Sequence, residues 1–291
     1  MRVLQRILAG SITIIVVNLP FFALYAQGEP DNKTANSPAR YTYFGQTPPG
    51  EKAEAFAPEV LIYEAHDSPV ITPDENWILW HSMDVDVLFY GMVDGKLTTI
   101  ENPLGIEFPE VFNGVAISPS GDRIYIEEWK EGRTNLYYID KKVDQWTSPS
   151  YVDLGDNCNL WQISISSSGS LYFATDKIMV STFEGDSHVK RTPLKLEDGS
   201  DMKGESPFIS PDESYIIYSI DDDLHISYQR SDGKWTMPID LGPNINSDQM
   251  ELCPQITPNG KYLIFTTRRH FPNFTVCWAD AGFVEALRPK K

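Results

Sequence analysis

From Ile71 onward, apolar and polar residues alternate at period two in short runs, and one pattern of about a dozen residues returns five times. The copies are "ITPDENWILWHS" (Ile71 to Ser82), "ISPSGDRIYIEE" (Ile117 to Glu128), "ISSSGSLYFATD" (Ile165 to Asp176), "ISPDESYIIYSI" (Ile209 to Ile220) and "ITPNGKYLIFTT" (Ile256 to Thr267). With the third residue of each copy as a marker (Pro73, Pro119, Ser167, Pro211, Pro258), the spacings are 46, 48, 44 and 47 residues. A period in the mid-forties built from short strands is that of four-stranded propeller blades. Helical repeats of similar length are excluded by the period-two alternation and by the Gly, Pro, Asn and Asp that punctuate it.

Each copy predicts a hairpin. Pro258 to Gly260 and Pro119 to Gly121 preset φ at the turn and follow it with a permissive Gly, while Pro73 and Pro211 precede an Asp able to bond its own backbone. The short strand before each turn lies innermost, and the strand after it ("YLIFTT", "YIIYSI", "RIYIEE") is central in its blade. A third and fourth strand follow in the first four copies. The fifth copy lacks a fourth strand, because the chain turns into "GFVEALRPKK", a short helix at most. An orphan strand, "EVLIYEA" (Glu59 to Ala65), is expected to pair with Phe274 to Asp280, closing the ring and leaving no open edge. The prediction is an all-β chain forming a single β-propeller of five four-stranded blades. A sixth blade would have to come from Arg40 to Pro58, which contains too few strand-like residues.

The hairpin motif, together with "DLHISYQRSDGKWTMPIDLGPNIN" (Asp223 to Asn246) leading into "ELCPQITPNGKYLIFTT", resembles the exported bacterial relatives of the TolB propeller, the WD-like repeats with an S-P-D-G hairpin. The resemblance covers roughly Glu59 to Asp280. It implies a fold and leaves activity open, since such blades serve many functions. The third copy departs from it with Ser167 in place of Pro. The first and fourth carry Asn76 and Ser214 near the Gly position, so those turns are expected to be looser. TolB's partner-docking N-terminal domain has no counterpart here, so a role in the Tol system is not carried over.

The first 26 residues form a different object: Arg2 and Arg6, an apolar run from Ile7 to Leu24, then small residues before Gln27. This reads as a signal peptide (residues 1–26), removed on export, with a retained anchor as the rival reading. Residues 27–40 are a polar leader and 41–291 the propeller. The expected location is the periplasm or the exterior, with no membrane insertion after cleavage. The net charge of −17 disfavours nucleic acid as a partner. Three cysteines, Cys158, Cys253 and Cys277, lack CxxC spacing, which argues against structural zinc.

Function is expected at the channel mouth opposite the Pro-Asp-Gly turns, where inner strands start and central strands end. One ring there comprises His66, Asp67, Asn113, Trp161, Glu205 and Glu251. A second comprises His81, Trp129, Asp176, Asp221 and Arg268, with Arg269 and His270 alongside. The recurrent Tyr125, Tyr172, Tyr218 and Phe265 of the central strands read instead as packing between blades. No catalytic residue, metal site or cofactor is assigned, and no phosphate loop, GxSxG elbow or HExxH helix occurs. The expectation is a monomeric scaffold binding a protein, peptide or glycan ligand. The alternative is a hydrolase of carbohydrate using two acids at the mouth, one kept neutral and one ionised.

Overall fold

The computed structural model describes residues 42–290, apart from 66, 83–86, 110–111, 144, 155–159, 185–186 and 270–272. The segments expected to be a signal peptide and leader, and Cys158, His66 and His270, therefore lie outside the described residues. The compact body runs from Arg40 to Lys291.

Five antiparallel sheets form the ring, each built mainly from consecutive strands. Blade one holds Val70–Ile71, Trp77–Trp80, Leu88–Val93 and Lys96–Ile100. Blade two holds Phe112–Ile117, Arg123–Lys130, Arg133–Lys142 and Ser150–Tyr151, with Gln145–Trp146 as an extra pair on its third strand. Blade three holds Trp161–Ile165, Leu171–Ala174, Ile178–Glu184 and Ser187–Pro193. Blade four holds Glu205–Ile209, Tyr215–Ile220, Asp223–Tyr228 and Ile239–Asp240. Blade five holds Glu251–Ile256, Tyr262–Thr267 and Thr275–Asp280, completed by Glu54–Ala55.

An N-terminal strand closes the ring, but from an earlier segment than the sequence suggested. Glu54 pairs with Trp278 and Ala55 with Cys277. The Glu59–Ala65 stretch instead turns, and Ala65 touches the ring twice, bridging to Ser82 and donating its N–H to the Phe274 carbonyl at 3.1 Å. Aromatic packing explains the choice. Phe56 sits edge-on to Trp278 at 5.1 Å and is 1% exposed, whereas Ile62 of "EVLIYEA" is 67% exposed.

The repeat is explained by the residue before each marker. Thr72, Ser118, Ser166, Ser210 and Thr257 are all buried. Four of their hydroxyls accept the backbone N–H five residues on, in Trp77, Arg123, Tyr215 and Tyr262. The Asp or Asn after the Pro accepts the N–H two residues on, as in Asp74, Asp212 and Asn259. Each copy thus wires its own turn with side-chain acceptors.

The first and fourth turns are not loose. Glu75 and Glu213 occupy the left-handed position that Gly fills elsewhere, with φ of 55° and 61°. Both carboxylates reach a neighbouring blade: Glu75 accepts from Tyr43 Oη at 3.1 Å and the Asn259 N–H at 3.2 Å, Glu213 from Ser168 Oγ at 2.6 Å. Tyr125, Tyr172, Tyr218 and Phe265 are buried. The C-terminal helix Phe283–Ala286 lays Val284 onto the core of blades four and five, where Tyr228 Oη donates to the Val284 carbonyl at 2.6 Å.

Candidate functional site

Four of the five inner strands carry a register shift near their outer start, at Phe112/Gly114, Trp161/Ile163, Glu205/Phe208 and Leu252/Gln255. In three of them the extra residue stands in left-handed backbone: Gln162 (φ 46°), Ser206 (φ 51°) and Cys253 (φ 55°). These occupy the same place in each repeat, five residues before the marker. Such bulges re-aim side chains, and here they turn them toward the channel.

The result is a polar plug. Gln162 Nε2 donates to Asp67 Oδ1 at 2.5 Å and also touches Cys253 Sγ. Asp67 lies 3.8 Å from His81 Nδ1, and His81 sits edge-on to Phe112 at 4.8 Å. The remaining space among Asp67, His81, Glu127, Gln162 and Cys253 is about 20 Å³. Burial drives the Cys253 thiol far above its usual range, so it stays protonated.

Glu127 is the plug residue that sequence reasoning missed. It is 1% exposed, and its Oε1 accepts the Ile163 N–H at 2.9 Å across the interface between blades two and three. Its Oε2 has no hydrogen-bond partner among the described residues. Burial, reinforced by the Asp67 charge, pushes its carboxyl up to about 8. Gly114 makes the room, since a Cβ there would stand 3.2 Å from Glu127 Oε1. A Glu in the middle of the apolar run "IYIEEW", with a Gly on the paired inner strand, was the available signal.

Outside the plug, Trp129 and Trp161 stack with centroids 5.6 Å apart and planes 25° from parallel. Trp161 is 46% exposed, and the adjacent Gln162 reaches the channel axis. Asn113 is buried, and Glu205 is exposed at the start of its strand. Asp176 is exposed and lies 3.8 Å from Lys177. Asp221 belongs to the tight turn Asp221–Asp222, whose φ values of 49° and 75° suit a two-residue hairpin. Arg268 lays its guanidinium 4.5 Å over the Phe274 ring.

Glu251 is placed differently from the other acids of its ring. It is fully buried and bonded to Ser247 Oγ (2.6 Å), Thr267 Oγ1 (2.8 Å), the Ser247 N–H (3.1 Å) and Arg269 (3.4 Å). Its carboxylate is consumed in holding blade five together. Among the described residues, no three His, Cys, Asp or Glu side chains gather in a way that would hold a metal ion.

No family model matches the chain, and no curated protein does. Solved propellers do. A TolB candidate from Agrobacterium tumefaciens is 20% identical, with a TM-score of 0.48, over 74% of this chain and 76% of that one. TolB from Acinetobacter baumannii is 15% identical, with a TM-score of 0.47, over 74% of this chain and 56% of that one. A gluconolactonase from Xanthomonas campestris is 10% identical, with a TM-score of 0.44, over 72% of this chain and 69% of that one. The chain is similar to the TolB propellers in fold.

Proposed function

We propose that the protein is an exported propeller scaffold that binds a protein, peptide or glycan ligand at the mouth bearing Asp67, Trp161 and Glu205. The stacked Trp129–Trp161 pair, half open to solvent beside a filled channel, carries this reading. Exposing an indole to water is unfavourable, and an exposed aromatic shelf fits a flat apolar face such as a sugar ring, a proline or another aromatic. Asp67 and His81, each slightly open to solvent, and the exposed Glu205 supply the polar contacts. Export rests on the N-terminal pattern and the acidic surface. No helix among the described residues is long and apolar enough to cross a membrane.

The hydrolase reading has one observation in its favour, a Glu127 carboxyl pushed up to about 8 by burial, with Asp67 nearby. The space between these acids is about 20 Å³, room for about one water and not for a sugar ring. Binding without turnover is the reading adopted.

Screening the mature protein on glycan and peptide arrays tests it. The expected hits lose at least about tenfold in affinity in Trp161→Ala, the effect of removing a central aromatic anchor. Hits indifferent to Trp161 and Glu205 would overturn the choice of face, and product formation from a bound glycan would restore the hydrolase.

A further inference from the structure

Blade two carries a part that its sheet does not need. Its third strand, Arg133–Lys142, is ten residues long, against six or seven in the other blades. The extra length is paired by the chain that follows it, Lys141 with Trp146 and Lys142 with Gln145, before the fourth strand begins at Ser150. This extension forms one side of a cleft of about 740 Å³ on the seam between blades one and two. The other side comes from blade one: the Pro73 turn, Trp77 and the loop Asn102–Gly105. Asn102 fixes that loop itself, accepting the Leu104 N–H at 2.9 Å and donating to the Ile106 carbonyl at 2.8 Å.

Each side of the cleft supplies a tryptophan. Trp77 and Trp146 back onto the buried cluster of Leu79, Phe89, Leu104 and Ile124, and both remain half-buried where they line the cleft. Neither indole N–H bonds another described residue, so each brings an apolar ring and an uncommitted donor to the lining. Asp74, Lys141 and Gln145 line the same cleft and are exposed. Asp74 and Lys141 are the charged members of the lining among the described residues, and they cancel, on a chain whose net charge is −17. A lining without net charge does not select an ion. Its indoles call for a flat apolar face, while the carboxylate, ammonium and amide call for partners that both donate and accept. A sugar ring has both, a C–H face and a rim of hydroxyls. The volume lies in the range of small-ligand sites.

We propose that this cleft is a second binding site, for a neutral oligosaccharide: C–H faces of its rings seated on Trp77 and Trp146, hydroxyls bonded to Asp74, Lys141 and Gln145. The site lies on the face of the Pro turns, opposite the mouth that bears Trp161, and does not depend on what that mouth binds.

The chain holds seven tryptophans, so the indole N–H signals of the ¹⁵N-labelled mature protein report each ring separately. Trp77 and Trp146 are assigned from Trp77→Phe and Trp146→Phe. Maltotriose, cellotriose, mannotriose and tri-N-acetylchitotriose serve as neutral probes, trigalacturonate and triglucosamine as charged ones, and hexaproline as a peptide. At least one neutral trisaccharide should shift both signals saturably with a midpoint below about 10 mM, and should do so equally in Trp161→Ala. Raising the salt to about 0.5 M should leave that midpoint unchanged, as expected without ion pairing. Trp146→Ala should weaken binding about tenfold or more. Gln145→Ala, an exposed change outside the core, should weaken it about threefold or more. If no neutral probe moves either signal, the site is overturned. A neutral probe that moves Trp129 and Trp161 but neither Trp77 nor Trp146 also overturns it, while supporting the mouth. Tighter binding of a charged trimer or of hexaproline at Trp77 and Trp146 overturns the ligand class. The probe comparisons are made on the wild-type protein, so they decide the matter even if Trp146→Ala fails to fold.

Discussion

The Glu127 carboxylate of blade two accepts a 2.9 Å hydrogen bond from the backbone N–H of Ile163 in blade three, and that bond is buried. The charge on Glu127 is therefore coupled to the seam between two blades. Its carboxyl rises from an ordinary 4.5 to about 8, so the folded protein holds a proton there that the unfolded chain has lost. Stability attributable to Glu127 should be full below about pH 4.5 and fall as pH rises toward 8. His188 works in the opposite sense. Burial and then the Arg123 charge lower it to about 4, so its contribution is present above 6.5 and lost as pH falls toward 4. Chemical denaturation across pH 4–9 should show Glu127→Gln abolishing the alkaline decline, with a gain of a few kcal/mol at pH 8. An alkaline decline unchanged in that variant would refute the assignment.

Trp161 and Glu251 stand at comparable points of their repeats, yet their substitutions should separate binding from stability. Trp161→Ala removes an exposed shelf and should leave the melting temperature within a few degrees of wild type while ligand affinity drops. Glu251→Gln weakens a buried carboxylate's contacts to Ser247, Thr267 and Arg269, and should cost about 3 kcal/mol of stability. Thermal melts and titrations on both variants check this, and the reverse pattern would exchange their roles.

Closure of the ring should fail on a truncation shorter than the orphan strand suggests. Deletion through residue 40 leaves the described body intact, whereas deletion through Phe56 removes Tyr43, Phe44, Glu54–Ala55 and Phe56. Tyr43 lies against Tyr262 at 5.1 Å, and Phe56 against Trp278. Loss of these rings and of the edge pairing should abolish the cooperative melt even though Glu59 to Ala65 is retained. A native melting transition in the longer truncation would show that the later segment suffices.

Gly204, just before the inner strand of blade four, has φ of 147°. A Cβ there would meet Tyr218 Cδ2 at 2.6 Å and the Ser219 carbonyl oxygen at 2.7 Å. Gly204→Ala should destabilise the protein by several kcal/mol, combining backbone strain with overpacking. Gly233→Ala, in an open turn where φ is 79°, carries the strain alone and should cost only about 1 kcal/mol.

What the sequence determined is what repeats. Period-two alternation, the marker spacing and the Ser/Thr-Pro-Asp/Asn turns are local chemistry written five times, and local chemistry is sufficient to specify hairpins and count blades. Closure by an N-terminal strand was also legible, because one blade lacked its fourth. Which residues close it was not: Glu54–Ala55 have little strand character of their own, and Phe56 beside Trp278 selects them through contacts some 220 residues away in sequence. The mouth shows the same division. Its acids could be placed at strand ends by counting, but burial separates exposed Glu205 from enclosed Glu251, and burial is a property of neighbours. The bulges at Gln162, Ser206 and Cys253 share no residue type, so nothing in the chain announces them. Crowding of inner strands around one axis imposes the bend, and only the closed ring creates that crowding.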